Sequence, residues 1–236
     1  MFLDAFHTQH TDNTISVSAE QGSTFAKEIA GDFNPIHNVG AKRFVVPGDL
    51  LFALVLNRYG LSKSMSVRFS GMVGADRTLV LPEVDKGTID IVDAEGKAYL
   101  HLEHSGETSH DAALIEDLTR SYVAFSGQNF PFIMVPLLEK HQVMFNPRRP
   151  LVIYESMAFE LTDLDISQPS LELANTSLIV NGKRGDALFE FNIVAGGQRV
   201  GTGIKKLIVS GLQPFDAELM DGVIAEFDHL RANYAR

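Results

Sequence analysis

The stretch "VPGDLLFALVLNRYG", residues 46–60, constrains the fold more than any other, because every position from Leu50 to Leu56 is apolar. A helix with one apolar stripe packs on one side, whereas a helix that is apolar all round has to be enclosed. Pro47 suits the first helical position. Asp49 places a carboxylate in the first turn, beside the positive end of the helix dipole. Asn57, Arg58 and Gly60 end the segment. The spacing predicts a helix of about ten residues, roughly 15 Å long, wrapped by the rest of the chain. The run is far too short to span a bilayer.

The wrapping reads as sheet. Ser64–Val73, Thr78–Val84, Thr88–Val92 and Ala98–His104 have strand character, and Asp93-Ala94-Glu95-Gly96 reads as a hairpin turn. A helix followed by an antiparallel meander is an α+β arrangement. Glu107–Thr119, polar and then weakly helical, reads as a connector, and Arg120–Ser126 as a strand. The order of elements then partly recurs. Residues 130–145 hold a short helix from Pro136. Strands follow at Leu151–Leu161, Leu171–Asn181, Ala187–Ala195 and Gln198–Ser210, with turns at Asn181-Gly182 and Gly196-Gly197. Shared order without shared residues points to a duplicated unit, residues 1–118 and 119–236. The last helix, about Pro214–Tyr234, is expected to carry Phe215, Leu219, Val223, Phe227 and Leu230 on one face.

Upstream of the greasy helix, Thr14–Val17 reads as a short strand. Ser18 and Gln21 then have the spacing of a capping box, with Phe25, Ala26, Ile29 and Ala30 at helical intervals and Gly31 as the stop. The stretch "AGDFNPIHN", residues 30–38, follows. It sets two proton-transfer groups, Asp32 and His37, on a bent segment, because Pro35 pushes Asn34 out of the helical region. Asp32 reads either as an Asx-turn acceptor or as half of an acid/base pair with His37.

The run "FAKEIAGDFNPIH" (25–37) resembles the signature of MaoC-like hydratases of the hotdog superfamily: Gly31, Asp32, Asn34, Pro35, Ile36 and His37 match Gly-Asp-x-Asn-Pro-aliphatic-His. "RFVVPGDLL" (43–51) and "VRFSGMVGADRTL" (67–79) are similar to two further pieces of the family's pattern, and the resemblance covers roughly residues 14–105. It implies a double hotdog, in which an antiparallel sheet wraps a central helix, twice. It also implies a hydratase or dehydratase acting on a 2-enoyl or 3-hydroxyacyl thioester. Asp32 would activate water and His37 would orient it or relay its proton. Asn34 would fix the loop or hold Asp32. A backbone N–H near Gly48 would bind the thioester oxygen, the missing side chain letting substrate approach. No metal or redox cofactor is implied, and the acyl group would ride on coenzyme A or an acyl carrier protein. Where the family's helix opens with His-Gly-Met, this chain has Pro47-Gly48-Asp49. Pointing inward, Asp49 would repel a developing enolate; capping the helix toward solvent, it would be harmless. Thioester hydrolysis, with water activated by Asp32, and non-catalytic acyl-ligand binding or protein interaction are the alternatives.

Composition narrows the remaining classes. Apolar residues are 45% of the chain, enough for a full core. A net charge of −10 disfavours nucleic acid as a partner. The basic pairs, among them Lys42-Arg43, Arg148-Arg149 and Lys205-Lys206, read as solvated surface or as local contacts to a ligand's phosphates. With no cysteine there is neither a disulfide nor a thiolate metal site, and the first twenty residues lack the pattern of a signal peptide, so a cytoplasmic location is expected. His101, His104 and Glu103 alternate across a strand and do not suit a shared metal. The glycines of residues 196–203 lie between strands, which does not suit a phosphate loop. A homodimer is compatible with the double hotdog.

Overall fold

The computed structural model describes residues 2–83 and 87–234 of the chain. The first part of the chain supplies β1 (Thr8–Thr11), β2 (Thr14–Ser16), α1 (Ala19–Thr24), α2 (Gly48–Tyr59), β3 (Leu61–Phe69), β4 (Leu79–Val80), β5 (Gly87–Asp93) and β6 (Ala98–Ser109). Next come α3 (Ala112–Gly127), α4 (Met134–Lys140), β7 (Val143–Met144), β8 (Leu151–Leu161), β9 (Ser170–Asn181), β10 (Arg184–Ala195), β11 (Gln198–Ser210), β12 (Gln213–Pro214) and α5 (Ala217–Tyr234). Ten strands form one antiparallel sheet in the order β1-β2-β4-β5-β6-β3-β8-β11-β10-β9, and β7 pairs with β12 apart from it.

The sheet order repeats outward from its middle. On one side of the β3–β8 seam lie β3, β6, β5 and β4; on the other lie β8, β11, β10 and β9. With β1 and β2 left at the outer edge beyond β4, each set of four puts its first strand at the seam, its last strand next, and works back outward. Ser64 faces Glu160 and Arg68 faces Ser156 across the seam, so an antiparallel pair joins the two halves about a local two-fold. The fold is an α+β double hotdog: α2, every residue of which from Asp49 to Leu56 is buried, lies enclosed in its sheet. Each fully buried leucine of α2 contributes about 1.5–3 kcal/mol. Among the described residues no helix is long and apolar enough to cross a membrane.

Local chemistry sets several elements as expected. Ser18 and Gln21 form the capping box that starts α1. Gly31 stops the helical run after a π-helical turn at Phe25–Ala30; its φ of 66° lies in the left-handed region that glycine enters without strain. The turns at Asn181-Gly182 and Gly196-Gly197 join β9 to β10 and β10 to β11.

Other elements differ from expectation. Arg120–Ser126 is not a strand but the second half of α3, which runs unbroken through residues 118 and 119, where the two expected units would meet. Leu114, Leu118, Tyr122 and Phe125 bury one helical stripe, and the Asp111 side chain caps the start by accepting from the N–H groups of Ala113 and Leu114. The stretch expected as a connector therefore divides between the end of β6 and the start of α3. The expected strand Thr78–Val84 is reduced to Leu79–Val80 among the described residues, and Val84 lies outside them. On α5 the inward face is rotated from the expected one. Met220 and Phe227 are buried, with Val223 and Ile224 packed beside them, while Leu219 is 48% exposed.

One contact locks α3 to the segment that follows α1. A methyl group added at Gly127 would sit 1.6 Å from the carbonyl oxygen of Ala30. Because that atom is backbone, it cannot rotate away. Gly127→Ala is therefore expected to lower the unfolding free energy by about 1–3 kcal/mol, read as a lower midpoint in urea denaturation.

Candidate active site

The segment 31–37 is held by its own polar groups. The Asp32 N–H donates to the Ala26 carbonyl (2.8 Å), which fixes the exit from the helix. Asp32 Oδ1 accepts from the Asn34 N–H (2.8 Å), and Asn34 Oδ1 caps a 3-10 turn, Pro35–His37, by accepting from the Ile36 N–H (3.3 Å). Asn34 thus fixes the loop. The Val45 N–H donates to the Ile36 carbonyl (3.0 Å), and His37 Nδ1 donates to the Val45 carbonyl (2.7 Å). A carbonyl can only accept, so Nδ1 carries a proton and the other ring nitrogen, Nε2, is turned elsewhere. It is turned to Asp32: Nε2 lies 3.5 Å from Oδ2. One Asp32 oxygen thus makes the Asx turn and the other faces the imidazole. His37 is buried, while the Asp32 side chain is 36% exposed.

These groups line a cavity of about 630 Å³, within the usual range for small-molecule sites. The first residues of α2 line it too, including Gly48 and Asp49, whose N–H groups have no acceptor inside their own helix. The space a side chain at Gly48 would occupy is not open to a ligand. Its Cβ would lie 2.8 Å from the Tyr154 ring and 3.3 Å from the Phe69 ring. Glycine is required here by packing, which differs from the expected reason.

Asp49 points inward, 9% exposed. Its Oδ1 accepts from Ser126 Oγ (2.9 Å) and from Lys205 Nζ (3.3 Å), and Lys205 also contacts Ser126. The ammonium lies 4.0 Å from the centre of the Tyr154 ring and 5.2 Å from that of Tyr122, whose hydroxyls touch one another. Burial pulls the Lys205 amine below its ordinary range, against the opposing pull of Asp49 and, more weakly, of Asp32. Burial first, and the neighbouring carboxylate after it, push the Tyr154 phenol well up; for Tyr122, burial is joined by Tyr154 and Asp49.

The family model described as "Protein of unknown function (DUF3581)" matches residues 1–218. The chain belongs to this family. No curated protein matches the sequence. Among solved structures it is similar to the acyl-CoA thioesterase II TesB2 from Mycobacterium marinum, at 14% identity over 92% of this chain and 99% of that one, with a TM-score of 0.43. It is also similar to a conserved protein of unknown function with hot dog fold from Alicyclobacillus acidocaldarius (10% identity, 91% and 98% covered, TM-score 0.46). A MaoC-like dehydratase is a third such structure (12% identity, 88% and 99% covered, TM-score 0.43). Likenesses this distant assign no residue a role.

Within this DUF3581 chain the structure brings Asp32, Asn34, His37 and Gly48 to one cavity. Sequence reasoning missed Ser126 and Lys205. Ser126 was hidden by the strand assignment. Lys205 stood in the basic pair Lys205-Lys206, yet the alternation of β11 carried the signal. Gly203, Lys205, Leu207 and Val209 share the inward face, whereas Lys206 turns outward to Glu155. His101 pairs with Asp90 and His104 with Ser62, away from the cavity. The loop geometry has a direct spectroscopic consequence. Two-bond ¹⁵N–¹H correlations are expected to show neutral His37 protonated at Nδ1; the opposite tautomer would mean that the bond to Val45 is not made.

Proposed function

We propose that the cavity binds a 2-enoyl or 3-hydroxyacyl thioester and that Asp32 and His37 move water on and off its double bond. One observation carries this reading: Asp32 Oδ2 and His37 Nε2 face each other across 3.5 Å at the cavity wall. In neutral His37 protonated at Nδ1, Nε2 is an acceptor, like the carboxylate oxygen it faces. Two acceptors at that separation invite a donor that serves both, and a water molecule has two O–H groups to give. The resemblance of residues 25–37 to MaoC-like hydratases supports the same assignment.

The chemistry then follows. Asp32 takes a proton from the water as its oxygen bonds to C3, and the electron pair of the double bond moves through C2 to the thioester oxygen. His37 orients the water and relays the proton that finally reaches C2. The negative charge on the thioester oxygen falls near the start of α2, where unpaired N–H groups and the dipole favour it. The reading requires no metal or redox cofactor, and it leaves the carrier, coenzyme A or an acyl carrier protein, to experiment. Hydrolysis of the thioester is the second reading, favoured by the exposure of Asp32, which gives bulk water a path to the carboxylate.

Crotonyl-CoA and longer enoyl thioesters distinguish the two. Loss of the conjugated enoyl absorbance is expected, without release of free thiol. Asp32→Asn and His37→Gln are each expected to lower kcat by about 10²–10⁴-fold with an unchanged circular dichroism spectrum. Thiol release from saturated acyl thioesters would favour hydrolysis. Failure of both substrate classes to react would remove the enzymatic reading.

A further inference from the structure

A carboxylate beside the site of a developing enolate opposes the reaction, and Asp49 occupies that place: second residue of α2, inward and buried. Its charge is not left bare. Lys205, 2% exposed, stands at an inward position of β11 between Gly203 and Leu207 and reaches Asp49 Oδ1 at 3.3 Å. Ser126, on the last turn of α3, bridges the two by donating to the carboxylate and contacting the ammonium. Removing an ammonium from water is costly, and an apolar residue at an inward strand position would pack without that cost. Both halves of the chain contribute. Asp49 comes from the first, while Ser126 and Lys205 lie on α3 and β11. The groups that face the pair are Ser126 and the Tyr122 and Tyr154 rings, and the charge of Asp32 acts weakly on Lys205.

We propose that Lys205 is a positioning residue that acts through Asp49: it cancels the Asp49 charge so that an enolate can form at the start of α2. The inference rests on the acyl-thioester reading. It adds a claim about why an acidic residue is tolerated at that place. Lys205 does not need to touch the substrate. Its work is to hold Asp49 as one end of a neutral pair, with the carboxylate drawn toward β11 and α3.

Acetoacetyl-CoA tests this without turnover. Its enolate has an ultraviolet absorbance distinct from the keto form, so the pH at which the bound ligand ionises reports the charge around its thioester oxygen. The full chain is compared as wild type, Lys205→Met, Asp49→Asn and the double variant, alongside hydration of crotonyl-CoA. Lys205→Met leaves Asp49 uncompensated. It is expected to raise the ionisation pH of the bound ligand by at least one unit and to lower kcat by about 100-fold or more, with a smaller change in KM. Asp49→Asn is expected to lower the ionisation pH. The double variant, which removes both charges and stays assessable if Lys205→Met folds poorly, is expected to ionise the ligand near the wild-type pH and to regain at least tenfold in kcat over Lys205→Met. A double variant as impaired as Lys205→Met, or one whose ligand ionises well above the wild-type pH, would overturn the proposal, because Lys205 would then act directly. Wild-type protein that neither binds acetoacetyl-CoA nor hydrates crotonyl-CoA would overturn the acyl-thioester reading and this proposal together.

Discussion

The enclosure of α2 is the constraint on which the rest of the structure depends. A helix apolar around its whole circumference cannot rest on a surface, so the sheet has to curl round it and α3 has to close the side the sheet leaves. Enclosing the barrel of the helix does not satisfy its ends. The N-terminal N–H groups at Gly48 and Asp49 still need acceptors, and the residues that carry them line the cavity. The polar site is thus a consequence of burying an apolar helix: the cavity lies where hydrophobic wrapping stops and unpaired donors begin.

Of the carboxylates that line that cavity, Asp32 and Asp49 sit in contrasting surroundings. Asp32 is partly exposed and tied by one oxygen to the backbone, leaving the other toward His37. Asp49 is buried and shares Ser126 and Lys205. A buried carboxylate without a partner would be strongly unfavourable, so the aromatic rings of Tyr122 and Tyr154 and the ammonium over them belong to the same arrangement. Within one cavity, the partly exposed carboxylate keeps one oxygen toward an imidazole and the sequestered one is matched with a cation.

The duplicated sheet explains why residues far apart in sequence meet there. The seam between β3 and β8 makes one continuous surface of the two halves. Tyr154 follows from β8 into both hydrophobic cores, packing beside Phe69 of the first half (4.8 Å between ring centres). The close approach of Gly127 to Ala30 then brings the end of α3, with Ser126, against the segment that leads into Asp32. The second half supplies no copy of the Asp32–His37 loop. It supplies wall and counter-charge.

Local rules were enough to make much of this legible in the sequence. The capping box at Ser18, the stop at Gly31, the turn around Pro35, the enclosed helix and the long strands of the second half all follow from short-range sterics, hydrogen bonding and periodicity, which a sequence displays directly. Asp32 and His37 stood out because their spacing round a proline leaves few conformations, and the fold brings them face to face. α3 was missed because its strand-like second half was read without its Asp111 cap, and the register of α5 because Leu219 and Met220 are both apolar and only the neighbouring core chooses between them. The sequence by itself determined that an apolar helix must be wrapped and that an acid and an imidazole share a bend in front of it. Only the tertiary structure decided that Asp49 turns inward and that Lys205, 156 residues later, is the cation that meets it. A charge pair is a matter of distance in space, and that distance is set by the sheet seam and the packing of α3.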